Sequence, residues 1–477
     1  MSYSQTPSSH SPIKSLQLGL QPAPAWIAIL GLVFFTILCV LAGVGSILNF
    51  AFPAGALGVG IFLYFRYPIF YIGFTWWMWF LSPLVRRLAD YRGAGFTQPS
   101  PIILAPYLVV LVTLVTLWQH LPRSHRQGSL PFVLALGSLF YSFVIGLVLH
   151  SPTTAGIAFL DWLVPVLLGF HLFVNWRDYP RYCKNIRRVF LWGVLVMGVY
   201  GIVQYLVLPG WDQFWIVSSE MASAGTAEPL KLNVHSTMNS RGPFALYMMA
   251  GLLLLFSSKG ALRFPASTAG YLAFLLTTVR TAWVGWVLGL LTLSGSVKSK
   301  LQMRLIVTVV VIAVLAIPLT TLEPFSERIN QRVETFSNLE EDRSFQARQS
   351  IYGDGLNSAL TNFLGEGMGG GAGDSGLLST LLTLGLLGTI FYCGGMLLMI
   401  FSLFQGSETR LDQFASTARA IVVSVFAMLP MGNTIVGVSG VIFWGFLGIG
   451  MAARRYHQTQ SPVELNQPSP ESHGRYL

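Results

Sequence analysis

The residues of this chain best suited to chemistry are arginines set where a cation is costly. Arg280 lies in LLTTVRTAWVGW, residues 275–286, and is the only charged residue among the thirty-four between Arg263 and Lys298. A guanidinium at membrane depth costs several kcal/mol unless it meets a wet cavity or a partner, so Arg280 is a candidate for gripping an anion. Arg241 opens the run RGPFALYMM, and a helix start with free amides beside an arginine is a ready anion site. Arg86, Arg87 and Arg92 cluster in LVRRLADYRGAGF, and Arg348 sits in DRSFQAR. A planar guanidinium fork binds phosphate oxygens two at a time, so Arg280, Arg241, Arg86, Arg87 and Arg92 are candidate phosphate ligands. Each has an ordinary structural alternative. Arg280 could snorkel from one tilted helix, Arg241 could pair with an interfacial acid, and Arg348 could bridge to Asp342. A miscounted span near Arg66 would relocate the Arg86 cluster.

Three residues could move protons. Asp374, in GDSG, could serve as a general base, since a carboxylate serves if it stays ionised within reach of a hydroxyl, and nearby arginines favour ionisation. His235, in VHSTMN, is the competing base because imidazole titrates near neutrality. A helix-capping aspartate and a surface imidazole are the structural alternatives. Asp161, in GIAFLDWLVPVLL, is an acid about two turns below the outer surface and is expected to pair with an arginine of the cavity. Cys39, Cys183 and Cys393 are scattered without disulfide or metal-ligand spacing, so neither a metal nor a cofactor is expected.

The elements that must position these groups follow from composition. The chain has 477 residues, 53% hydrophobic and 10% charged, with mean hydropathy +0.61; an average soluble protein is roughly a quarter charged. It reads as an all-α integral membrane protein. The net charge of +10 punctuates the apolar runs instead of forming one stripe, which argues against nucleic acid as a partner. At about 20 apolar residues per crossing, the runs predict 12 to 14 transmembrane helices. The basic segments at 177–188, 259–263 and 298–304, with Arg454 and Arg455, belong in the cytoplasm by the positive-inside rule, and both termini with them. The polar start lacks the apolar core of a signal peptide. The organisation expected is a disordered cytoplasmic tail over 1–24, a polytopic domain over 25–455 with outer loops at 211–240 and 323–375, and a second cytoplasmic tail over 456–477.

Charge parity makes residues 265–295 go up and return, with Arg280 at the turn. Each arm has about 15 residues, roughly 22 Å at 1.5 Å per residue, against a hydrocarbon core of about 30 Å. A tip that stops short is tolerated only where protein or water surrounds it, which implies an outward-facing cavity with a cation at its floor. Residues 344–364 carry helix-compatible apolar spacing, as of amphipathic helices lying over that cavity. The following GEGMGGGAGDSG lacks the lysine and strand of a nucleotide loop, and its glycines suit a tight path back to the bilayer. Tyr71, Phe74, Trp76, Trp77, Trp79 and Phe80 read as an interfacial belt.

NSRGPFA, LLTTVRTAWVGW, DRSFQAR and GEGMGGGAGDSGLLSTLLTLGLLGTIFY, in that order over roughly 235–395, resemble the O-antigen ligase and polymerase superfamily of polyprenyl-linked glycan transferases. The resemblance implies a GT-C-like glycosyltransferase working without metal or nucleotide at the outer face of the bacterial inner membrane. Its donor would be a glycan on undecaprenyl pyrophosphate and its acceptor a glycan or lipid, with other polysaccharide export proteins as further partners. Arg280 matches the arginine that the family sets against the donor pyrophosphate, Arg241 a second arginine, and Arg348 a third in the loop. Many ligases of the family carry a histidine where this chain has Asp374, so the resemblance makes Asp374 the leading general base. Some members are linked to uptake of inorganic carbon or other anions, so an anion transporter is the alternative. A transporter would be expected to show inverted repeats with broken helices, and the two halves show no convincing duplication.

Overall fold

The computed structural model describes residues 22–123, 128–295, 362–370, 375–405, 409 and 411–464, and among them every regular element is helical. Ten helical segments among the described residues are long and apolar enough to cross a bilayer, so the chain is an all-α, multi-pass membrane protein. The first half contains α1 (Ala23–Leu41), α2 (Gly45–Arg66), α3 (Pro68–Ala89), α4 (Leu104–Leu111) and α5 (Leu114–His120), the last two forming one crossing. Next come α6 (Leu130–Leu149), α7 (Pro152–Val174), α8 (Tyr179–Val207) and the short surface helix α9 (Gly210–Ser219). Then follow α10 (Arg241–Leu255), α11 (Arg263–Leu276), α12 (Arg280–Ser294), α13 (Gly376–Phe404), α14 (Gln413–Ala427) and α15 (Gly437–Glu464). The apolar run at 304–322, Arg348 and Asp374 lie outside the described residues.

Trp26 of α1 packs on Phe70, whose neighbour Tyr71 meets His171 near the end of α7, and Arg455 and Tyr456 of α15 lie over Trp176 and Tyr179 just beyond it, so the start of α1 and the end of α15 share one end of the bundle. That terminal end also carries Arg181, Lys184, Arg187 and Arg454. It is tied by Asp412, which caps α14 and accepts from the Tyr179 hydroxyl at 2.7 Å and from His457 at 3.0 Å. Helix α15 continues to Glu464, beyond the point where the sequence reading begins a tail.

Where helices lack a hydrophobic drive toward one another, small residues set the approach. A Cβ on Gly448 of α15 would fall 2.1 Å from the Gly169 carbonyl of α7, so these two helices meet backbone to backbone. Around that seam lies an aromatic core in which Trp76, Phe80, Phe190, Tyr247 and Phe446 pack edge to face. This corrects the interfacial-belt reading of residues 71–80. Tyr71, Phe74, Trp76, Trp79 and Phe80 are buried because α3 is surrounded on several sides, and ten residues climb about 15 Å, too far for one interfacial level.

Helices α11 and α12, of 14 and 15 residues, form the expected hairpin. Tyr271 meets Trp286 edge to face, and the Trp283 indole donates to the Phe274 carbonyl at 3.4 Å, so the arms touch through these side chains, while α11 packs mainly on α8 and α12 on α14. The turn is covered from the far end by residues 230–238, whose Val234 amide donates to the Leu276 carbonyl at 3.2 Å.

Helix α13 is interrupted at Gly385, with φ 65° and ψ 178°. Residues 362–370 fill the break as an irregular segment with two turns. Glu366 N donates to Leu382 O at 2.8 Å, Leu386 N to Phe363 O at 3.1 Å, and Met368 N to Ser142 O of α6 at 3.1 Å. The glycine-rich stretch therefore returns inside the bundle, where its backbone groups find protein partners instead of lipid. A Cβ on Gly385 would lie 2.4 Å from the Leu364 carbonyl carbon, in a backbone region that only glycine enters cheaply. Gly385→Ala should cost about 2 kcal/mol or more. A thermal unfolding midpoint in detergent equal to wild type would contradict this account of the break.

Candidate functional site

At the far end the chain builds one continuous polar network, starting from a buried ion pair. Arg87, in the last turn of α3, is fully buried; its Nη1 lies 2.5 Å from Asp212 Oδ1 at the start of α9, and its Nη2 donates to the Ser236 carbonyl. Asp212 Oδ2 accepts from the Tyr200 hydroxyl at 2.8 Å and from Gln204 Nε2 at 3.0 Å. Gln204 Oε1 accepts the amides of His235 and Ser236 at 3.1 and 2.8 Å. Two N–H donors on one atom fix the orientation of that amide, so Gln204 clamps the backbone of residues 235–236. Ser236 is held there with φ 51°.

The clamp positions its neighbour, Asn233. Thr278, at the tip of the α11–α12 hairpin with φ 56°, donates to Asn233 Oδ1 at 3.1 Å and receives Arg241 Nη1 at 3.0 Å. Arg241 is the first residue of α10 and Arg280 the first of α12, and both are partly buried. The Arg241–Thr278 contact thus draws the two helix starts together. Neither start carries a side-chain cap. The first amides of a helix lack intrahelical partners and carry the positive end of its dipole, so an arginine at that position adds positive charge to positive charge. The arrangement suits an anion.

The turn between α14 and α15 joins this corner to the rest of the far half. Met428 packs where a Cβ on Gly285 of α12 would fall, 2.7 Å from its sulfur. Gly432 and Leu429 lie against Gly376 of α13, and Asn433 Nδ2 donates to Ser379 Oγ at 3.3 Å. Gly437, at φ 56°, sits against the Asp161 carboxylate, which accepts the Tyr107 hydroxyl at 2.5 Å.

Several sequence expectations change. The segment around Arg86 and Arg87 is the helical end of α3 and a π-turn over Asp90–Ala94, not a loop. Arg87 is consumed by Asp212 and Ser236. Arg86 is stacked over Trp215 at 4.6 Å, bridged to Asp90 at 3.4 Å and bonded to the Thr97 carbonyl. Neither is available to a phosphate, whereas Arg92 is exposed beyond them. His235 is 1% exposed and receives Gln204 Nε2 at 3.2 Å, while burial and the Arg87 charge pull its pKa down to about 3. It is therefore a sealed neutral imidazole and not an accessible base. Asp161 meets a tyrosine hydroxyl, not the expected arginine, among the described residues. The reading missed Gln204, Asp212, Tyr107 and Thr278. Gln204 left one trace, as the sole side-chain amide within α8 beyond its basic start. No protein-family model, curated protein or solved structure matches the chain.

Arg87→Ala leaves Asp212 buried without a cation and should cost about 3–5 kcal/mol, whereas replacing both by leucine or methionine should recover much of the loss. Thermal unfolding of the two variants in detergent compares them directly. His235 adds a pH dependence. The unfolded chain takes up a proton near 6.5, the ordinary imidazole value, that the folded chain refuses. Its contribution is complete above that pH and declines as pH falls below it. His235→Asn should flatten this acid limb of the stability curve, and an unchanged limb would assign it elsewhere.

Proposed function

We propose that the chain is a glycosyltransferase of the O-antigen ligase and polymerase kind, with a GT-C-like architecture. It transfers a glycan from a polyprenyl diphosphate to a glycan or lipid acceptor at the outer face of the bacterial inner membrane. The observation that carries this reading is the pair of uncapped helix starts, each opened by an arginine, held together through Thr278. Two positive helix ends and two guanidinium groups complement a diphosphate better than a single carboxylate. As the bond from the sugar to the diphosphate breaks, negative charge grows on the leaving oxygens, and donors already fixed in a low-dielectric corner stabilise that charge most. The ordered motifs that resemble the superfamily support the same substrate class, and the basic terminal end supports cytoplasmic termini.

A second reading rests on its own observation. The break in α13 at Gly385, filled by residues 362–370, is the kind of discontinuity that lines ion sites in transporters. An anion carrier would use the same arginines without a covalent step.

One variant separates the two. Arg280→Ala in the native host should reduce exported glycan about a hundredfold or more while the lipid-linked precursor accumulates, with Arg280→Lys intermediate. Normal glycan together with lost uptake of bicarbonate or another small anion would favour transport. Normal glycan and normal uptake would dismiss both.

A further inference from the structure

The transfer proposed above needs a proton acceptor, and neither Arg241 nor Arg280 can supply one. We infer that Asp161, held by Tyr107 against the start of α15, takes the proton from the acceptor hydroxyl; the inference rests on the transferase reading. Asp161 is a half-buried carboxylate inside the membrane-spanning part of α7. Its Oδ1 accepts the Tyr107 hydroxyl, and no hydrogen bond engages Oδ2 among the described residues. Among the described residues no lysine, arginine or histidine pairs with it, and no backbone amide of α15 bonds to it, although that helix begins beside it. An acid kept at membrane depth with one hydroxyl partner and no cation is expensive for structure alone, yet it suits a group that must accept a proton.

Its surroundings join it to the arginine corner. A Cβ on Gly437 would fall 3.3 Å from Asp161 Oδ1 and 3.6 Å from the Tyr107 hydroxyl, so the glycine makes room for the pair. The next residue, Val438, receives the Tyr247 hydroxyl at 3.0 Å, and Tyr247 lies six residues along α10 from Arg241. That is a rise of about 9 Å, an offset that an extended arginine and one reacting sugar centre bridge. Among the described residues the titratable group in contact with Asp161 is the Tyr107 phenol of α4, and the Tyr247 phenol of α10 lies next to Tyr107, bonded to Val438.

In the step itself the acceptor oxygen bonds to the anomeric carbon. The bond from that carbon to the diphosphate oxygen breaks, and its electron pair leaves with the diphosphate. The hydroxyl proton passes to Asp161 Oδ2 and later returns to water.

The test uses membrane vesicles of the native host with their own lipid-linked donor, assaying Asp161→Asn, Asp161→Glu, Tyr107→Phe and Arg280→Ala. Asp161→Asn should lose transfer about a hundredfold or more, while thermal protection by geranylgeranyl diphosphate stays at the wild-type level, and Asp161→Glu should restore part of the rate. Tyr107 donates to the charged form, so Tyr107→Phe should move the acid limb of the pH–rate profile to higher pH. A merely structural aspartate would leave that limb in place. Should Asp161→Asn not fold, the glutamate and phenylalanine variants carry the test. Wild-type transfer by Asp161→Asn, or an unmoved limb in Tyr107→Phe, overturns the inference. If Arg280→Ala alone loses transfer, this proton acceptor is wrong and the transferase reading stands; if Arg280→Ala also transfers normally, that reading fails first.

Discussion

A charge or a bare backbone group inside a bilayer has no water to turn to, so it must find its partner within the protein. The far half of this bundle is organised by that demand. Arg87 cannot leave the last turn of α3 for solvent, and Asp212 is brought down from α9 to meet it. With the ion pair in place, Tyr200 and Gln204 turn toward the aspartate, and Gln204 uses its remaining oxygen to hold the amides of residues 235 and 236. Removing one member would strand the others, since a buried charge without its partner is far costlier than an apolar pair of the same size.

The same demand explains the break in α13. An interrupted helix exposes carbonyls and amides that lipid cannot satisfy, and the segment at 362–370 supplies partners on both sides of Gly385. The cost is met by geometry: glycines at the contact let two backbones approach where any side chain would collide. Rigid contacts of this kind give the arginine corner a fixed frame. Arg241 and Arg280 belong to different helices, and the bond from Arg241 to Thr278 ties the start of α10 to the turn that leads into α12.

Much of the architecture was readable because the bilayer filters sequences harshly. Apolar length marked the crossings, and basic loops marked the terminal end. The lone charge at Arg280 marked a hairpin turn, since a cation cannot rest along a lipid-facing arm. The partners of the polar residues were not readable. Arg86 and Arg87 look alike in sequence to any phosphate-binding pair, and only the arrival of Trp215 and Asp212, more than a hundred residues later, commits them to structure. His235 looks like a poised base until Gln204, thirty-one residues upstream, closes over it.

The sequence by itself therefore determined the solvent, the crossings, the terminal end and the place of Arg280, because these depend on transfer free energies that each residue carries with it. Tertiary structure alone decided which arginines are spent on internal acids, which helix starts meet, and what holds Asp161. Those outcomes depend on directional bonds between residues far apart in the chain, and a hydrogen bond has no signature in either partner until the fold sets them three ångströms apart.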